Sequence, residues 1–483
     1  MTTRRQALQG AAATLGVAAL PFARGAAEPA VSIAAPLALR PDGGLLELEI
    51  AERMTALPCF GGKSLPLWTF RAGVDTLVVR VKVDQPLDVV VKNSLQVPGE
   101  HASIHWHGLR IANSQDGVSY MTQAPIQPGE TGTYRFTPPD TGTYFFHTHC
   151  NSVEHFGRGL VSALIVEGDE VAPSDVDLVL MMKDWRLSPD GAFLPFTSEQ
   201  GAAKSGTHGT VRAINGATRP RYVVPASADV RLRFLNVDPV RISEVGVEGG
   251  DAALIAVDGN ALGPIPLERW RLGPAGRLDI LIRTPKAGEV VQIMDYFAAE
   301  PVVLAELVSE GRAMRRGGFK PVSLKVGRQM PVELAKAERV KFDFSATATG
   351  QTIAALPSIE GLPIGKLCLA KRSYWSINKQ PWVSMDQPNL GPPLAKLKLG
   401  SSYIFELENR TPHAHPIHIH GHTFEVMSSN LRELIRHRAD TVLLVPKERI
   451  EVAFVADNPG RWMFHCHILE HQETGMMGYL DVA

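Results

Sequence analysis

The chain has 483 residues, 45% hydrophobic and 20% charged, enough apolar material for large cores and, by the usual domain size, roughly three domains. Its formal net charge is −1 with no basic run, so nothing in the charge favours nucleic acid as a partner. Four cysteines are too few for a disulfide scaffold; Cys59, Cys150 and Cys368 allow one bridge and a free thiol, or none, and spacing does not choose.

The N-terminus reads as an address rather than as structure. Thr3-Arg4-Arg5-Gln6-Ala7-Leu8 resembles a twin-arginine export signal, with Ala7 where such signals usually carry Phe. An apolar stretch from Ala11 to Leu20 follows, then small residues around Gly25-Ala26-Ala27 where cleavage could occur. The stretch is too short to span a bilayer, so no membrane span is expected. The mature chain is expected to start near Glu28 and to work in the periplasm, delivered by the twin-arginine machinery, which carries folded proteins.

Beyond the signal, strand-length pieces such as Leu77 to Val83, Leu87 to Val91 and Val230 to Leu235 alternate or run apolar between Gly/Pro turns. The expected class is all-β, built from sandwiches. An internal repeat sharpens this. Ile104-His105-Trp106-His107-Gly108 recurs as Ile417-His418-Ile419-His420-Gly421, and Gly142 to His149 recurs, in the same order and at a similar spacing, as Gly460 to His467. A third copy lies between them. Asn93, Asn236 and Asn409 each close an apolar strand, and Pro128, Pro274 and Pro446 each open a turn and strand, yet the middle copy has no His-x-His. The expected layout is a signal at 1–27 and domains at 28–170, 171–315 and 316–483, the middle one without metal. The joins fall near Gly168 to Ser174 and in the polar stretch from Gly311 to Pro331.

A lone His-x-His is ordinarily a solvated strand face. Here four pairs, His105/His107, His147/His149, His418/His420 and His465/His467, take eight of the chain's 16 histidines and occupy repeated positions in the two outer copies, which points to metal. The last pair brackets Cys466. Side chains alternate along a strand, so His465 and His467 face one way and Cys466 the other, and one stretch can serve two sites back to back. With His471, with Met476 and with His415 just before His418, Cys466 completes the His, His, Cys and weak Met set that selects copper. His413 and His422 are read as flanking residues rather than ligands; His101, His155, His208 and His437 are unassigned.

The motifs HWHG, HTH, HPIHIHGH and HCHILEHQETGM, in this order, resemble the multicopper oxidases, in particular the bacterial three-domain laccase and cuprous oxidase group, over the whole mature chain. The resemblance implies three cupredoxin-like Greek-key β-sandwich domains and four copper ions. His415, Cys466, His471 and Met476 match the type 1 ligands. His105 and His418 match those of type 2, and His107, His147, His149, His420, His465 and His467 those of the paired type 3 ions. It also implies one-electron oxidation of a reductant at the first site, four-electron reduction of dioxygen to water at the cluster, and an exposed edge of His471 where electrons arrive.

Oxygen reduction consumes protons. Asp116 matches an acid that the family places beside the type 2 site, though Gln115-Asp116-Gly117 is also an ordinary turn. Gln472 stands where many relatives carry a proton-relaying Glu, which leaves Glu473, one residue on, as the candidate. Cuprous oxidases of the group often carry a Met-rich insertion, and no methionine lies between Met330 and Met385. The expected reductant is therefore a phenol or aromatic amine, with a metal ion, Cu(I) included, as the alternative. Asp440 lies before a strand expected to approach the type 1 region, and is read either as receiving a phenolic proton or as an ordinary strand cap. A two-domain copper nitrite reductase fits neither the length nor the position of Cys466, and a non-catalytic scaffold would not keep every ligand.

Overall fold

The computed structural model describes residues 31–32, 36, 38–73, 76–168, 174–347, 373–382 and 390–483. The export signal and Cys368 lie outside the described residues. Strands form where the sequence alternates. Ser402–Asn409, for instance, buries every second side chain because successive residues of an extended chain face opposite sides.

Among the described residues, six sheets contain these strands, and they pack as three sandwiches around three apolar cores, built from residues 46–166, 178–307 and 342–482 with Val240. Each sandwich has the same centre. Leu45–Thr55 runs parallel to Leu87–Asn93, which is antiparallel to Thr131–Phe136. Val176–Trp185, Asp229–Asn236 and Arg277–Arg283 repeat the arrangement, as do Glu338–Ala346, Ser402–Asn409 and Arg449–Val455. Even the strand ends match. Asn93, Asn236 and Asn409 are buried, and each side chain caps its own turn, accepting from the backbone N–H two residues on and donating to a carbonyl beyond it. The third core is aromatic, with Phe342 edge-on to Phe405 and tilted against Phe464; truncating any one of these rings costs roughly 3–5 kcal/mol.

The sandwiches are joined by polar contacts. Thr143 Oγ1 of the first donates to Asp279 Oδ1 of the second at 2.6 Å, and Arg233 donates to Thr143 and to Asp177. Asn113 of the first donates to the Arg461 carbonyl of the third at 2.7 Å, and Asn458 donates back to the Ile111 carbonyl at 2.8 Å. The first described strand, Val31–Ser32, joins the edge of the second sandwich beside Pro220–Arg221.

Candidate metal centre

Two strand pairs from the outer sandwiches meet face to face. In the first, Ile104–His107 lies antiparallel to Gly142–Thr148 with His105 opposite His147. In the third, His415–Ile419 lies antiparallel to Gly460–Cys466 with His418 opposite His465. The imidazoles stack across the seam. His107 lies on His418 and His105 on His420, both with ring centroids 3.8 Å apart. All eight histidines of the four pairs are buried.

Their hydrogen bonds show which nitrogens are left over. His105 donates from Nδ1 to the Asp116 carbonyl, His147 to Thr148, His418 to Asp440 and His465 to Cys466, each at 2.9–3.0 Å, so their Nε2 atoms carry lone pairs. His420 donates from Nδ1 to Asp116 Oδ2 at 2.8 Å. His107 is reversed. Its Nε2 donates to Asp440 Oδ1 at 3.1 Å and its Nδ1 is bare. Nε2 of His105, His147 and His418 and both nitrogens of His149 and His467 have no protein partner, although buried polar atoms are ordinarily satisfied. His420 Nε2 and His465 Nε2 approach to 3.0 Å, a repulsive contact between two lone pairs unless a cation lies between them.

The bare atoms fall into sets with all ligand atoms within 4.8 Å of one another: His107, His147 and His467; His149, His420 and His465; and His105, His107 and His418. Burial holds the pKa of His107, His147, His149, His420, His465 and His467 well below the ordinary imidazole range, and that of His418 below it. The rings are therefore neutral, the form that binds a metal.

One residue away, Cys466 faces the other side. Its Sγ lies 3.6 Å from His415 Nδ1 and 3.7 Å from His471 Nδ1, which are 3.1 Å apart. A single point about 2 Å from all three atoms satisfies these distances, a length suited to metal–nitrogen and metal–thiolate bonds. The outer nitrogens are occupied. His415 Nε2 donates to Thr411 Oγ1 and His471 Nε2 to the Lys204 carbonyl, both at 2.8 Å. Burial pushes the Cys466 thiol up, so the thiolate forms when a cation replaces the proton. Met476 is fully buried in the same core, and its carbonyl accepts from Cys466 N. The donor set of two imidazoles, a thiolate and a nearby thioether fits copper.

Some expectations change. His471 has no exposed edge: its relative exposure is 0%, because Lys204 of the second sandwich covers its Nε2 and Trp375 packs tilted against the ring, with centroids 4.5 Å apart. Asp440 lies nowhere a phenol could reach. It is buried behind the histidine cluster, bonded to His107 and Arg277. After Cys466 the chain does not stay extended, since Leu469–Glu473 forms a short helix. That turn buries Gln472 and leaves Glu473 half-buried, with its Oε1 accepting from Val153 N at 2.9 Å. Asp116 lies both in a turn and against the histidines. It sits in the turn before Gly117, which has φ +80°, and its carboxylate reaches His420 and, at 3.3 Å, His105. His422 is buried, donating to the His420 carbonyl at 3.1 Å, and His413 packs edge-on to Trp375. Cys150 is disulfide-bonded. Sequence reasoning missed Glu470, whose carboxylate accepts from Thr197, Ser198 and Thr207, and it missed Trp375 and Arg277. Glu470 sits inside the HCHILEH motif and could have been flagged; the other two carry no local signal.

Three sandwiches with imidazole sets across one seam and a thiolate set on the reverse of the same strand define a copper-dependent oxidoreductase. Comparison with known proteins narrows this. Family profiles described as multicopper oxidase match residues 59–171 and 370–483. A multicopper oxidase structure from Pseudomonas parafulva is 36% identical, covering 90% of this chain and 99% of that one with a TM-score of 0.76. One from Pseudomonas thermotolerans is 34% identical over 92% and 100%, with a TM-score of 0.79. The multicopper oxidase MmcO of Mycobacterium tuberculosis is 27% identical over 96% of this chain and 92% of its own length. The chain belongs to the multicopper oxidase family.

Proposed function

We propose that the chain is a laccase-like enzyme that oxidises phenols or aromatic amines one electron at a time and passes four electrons and four protons to dioxygen, giving two waters. The observation that carries this is the peptide shared by Cys466, which faces His415 and His471, and by His465 and His467, which face the seam. His415, Cys466, His471 and Met476 hold a type 1 ion. His105 and His418 hold a type 2 ion, and His107, His147 and His467 with His149, His420 and His465 hold the type 3 pair. When bound, copper supplies one-electron redox chemistry and the affinity for dioxygen.

The protein does the rest. The Cys466–His465 and Cys466–His467 peptides link the two sites covalently. Burial excludes water from both and keeps partly reduced oxygen away from the reductant. Asp116 accepts from His420 Nδ1 and so fixes that ring, and Glu473, half-buried, brings protons from solvent. We also assign domains 28–170, 171–315 and 316–483, and export to the periplasm through the N-terminal twin-arginine sequence. The phenol reading draws support from the missing Met-rich insertion and from relatives named laccase, one from Cryphonectria parasitica at 25% identity. Metal-ion oxidation is the second reading, favoured by the 26% identical relative named iron transport multicopper oxidase fio1 from Schizosaccharomyces pombe. Oxygen uptake by the copper-loaded chain, measured with a phenol, an aromatic amine and Cu(I), tests both. Uptake with the organic donors, one O₂ per four electrons, is expected. Uptake with Cu(I) alone would move the assignment to the second reading, and uptake with none at full copper loading would remove the oxidase.

A further inference from the structure

The middle sandwich supplies no ligand, yet one of its side chains reaches the back of the histidine cluster. Arg277 is fully buried and touches all three sandwiches. Its Nε donates to the Thr143 carbonyl of the first at 3.2 Å, and its Nη1 to the Ala275 carbonyl of its own at 3.0 Å. Its fork grips Asp440 of the third, Nη1 to Oδ1 at 2.8 Å and Nη2 to Oδ2 at 2.5 Å. Such two-point pairing fixes a carboxylate in orientation as well as position. Asp258, also from the middle sandwich, holds the same assembly from the other side. Its Oδ1 accepts from Arg277 N, and its Oδ2 from the N–H groups of Asp440 and Thr441.

Asp440, held in this way, contacts two histidines from different sandwiches, one through its carboxylate and one chiefly through its main-chain carbonyl. Asp440 Oδ1 accepts from His107 Nε2 at 3.1 Å, and the Asp440 carbonyl accepts from His418 Nδ1 at 2.9 Å. His105, His147, His418 and His465 all donate from Nδ1 and present Nε2. His107 alone among the described seam histidines donates from Nε2 and presents Nδ1. The chain makes room for the fork at Gly108, directly after His107. Its φ is +87°, and a Cβ there would stand 2.5 Å from Arg277 Nη2 and 2.6 Å from Asp440 Oδ2.

We propose that Arg277 is a positioning residue of the oxygen-reducing site: it locks Asp440 so that His107 offers Nδ1 and His418 offers Nε2 to metal. The copper-free sandwich thereby orients ligands as well as spacing the outer two apart. The inference rests on reading the eight seam histidines as copper ligands. Removing a carboxylate that orients a metal-bound histidine weakens metal binding by about 10–100-fold, and losing the group that aims the carboxylate acts in the same direction.

The test is copper titration of the metal-free full chain against a competing chelator, for the wild type, Arg277→Met, Arg277→Lys and Asp440→Asn. The visible band of the Cys466 site serves as an internal fold check, and electron paramagnetic resonance follows the histidine-bound copper. Arg277→Met and Asp440→Asn are expected to keep the Cys466 band while binding seam copper about 10–100-fold more weakly. Arg277→Lys, which keeps the charge and loses the fork, should fall between them and the wild type. Should Arg277→Met lose the band through misfolding, Asp440→Asn decides, because it keeps the volume and the Arg277 partner. Seam copper bound at wild-type strength with an unchanged resonance signal in the variants overturns the proposal. A wild type that binds copper only at Cys466 overturns the ligand reading instead.

Discussion

Replacing the Cys466 sulfur by oxygen isolates one metal set from the other at nearly constant shape. The Cys466→Ser variant is expected to lose its visible colour and its oxidation of organic donors, because in the proposed assignment the thiolate both binds the ion and leads to His465 and His467. The seam histidines lie on the opposite face of the strand and are expected to keep the copper proposed there. Copper content should fall by the Cys466 ion alone, which metal analysis beside the visible spectrum checks. Gly117 makes the complementary point about backbone. At φ +80°, a Cβ would stand 1.7 Å from the Ile104 carbonyl oxygen, on the strand that carries His105 and His107. Gly117→Ala is expected to destabilise by at least about 3 kcal/mol, more than the left-handed conformation alone costs, read as a shift in the urea midpoint. The Asp116-Gly117 turn was legible in the sequence because this dipeptide has few other uses. What Asp116 grips was not, since His420 comes from the far repeat and no local pattern brings the two together.

At the scale of elements, alternation and repetition made the central strands of the three repeats readable, including the strand-closing Asn93, Asn236 and Asn409, whose local caps follow from one side chain and its own turn. The short helix Leu469–Glu473 was not readable. Strand-like spacing around Cys466 gave no warning that the chain would coil immediately afterwards, and that coil is what sets His471 beneath the second sandwich. The covering segment, with the helix Glu199–Ala202, is pinned by Glu470 at Thr197, Ser198 and Thr207 and by the Trp375 indole, which donates to the Ala202 carbonyl at 2.7 Å. Glu470→Ala leaves those donors without their shared acceptor. Amide hydrogen exchange through 197–207 is expected to accelerate severalfold, while exchange in the Gly460–Cys466 strand stays unchanged. Uniform acceleration across the third sandwich would show that Glu470 supports the whole sandwich instead of pinning this segment.

Taken over the whole molecule, the metal-free chain stores unsatisfied imidazoles at the meeting of its outer sandwiches, and this fixes how its stability follows pH. Burial lowers His107, His147, His149, His418, His420, His465 and His467, and it lowers His471 to about 3 and His422 to about 4. In each case the unfolded chain, with imidazoles near 6.5, binds more protons than the folded one once the pH drops below that value, so stability falls as acid is added. The loss begins near pH 6.5 and continues down to the folded values, and His422 alone accounts for on the order of 3 kcal/mol. The thiol works at the other end. Burial raises Cys466, so above its ordinary value of 9.0 the unfolded chain ionises first and stability falls again. The contribution of these imidazoles and this thiol to the stability of the metal-free protein should therefore be greatest between about pH 6.5 and 9. Copper, bound only by the folded state, should raise the melting temperature throughout that window by mass action, worth about 2.7 kcal/mol at a free concentration 100 times the dissociation constant. It should also move the acid limb to lower pH, since the ligated nitrogens no longer accept protons. Urea midpoints measured from pH 4 to 10 with and without copper check both limbs. A metal-free chain equally stable at pH 4.5 and 7.5 would mean that the buried imidazoles acquire their protons without unfolding, and the seam would then have to be open to water.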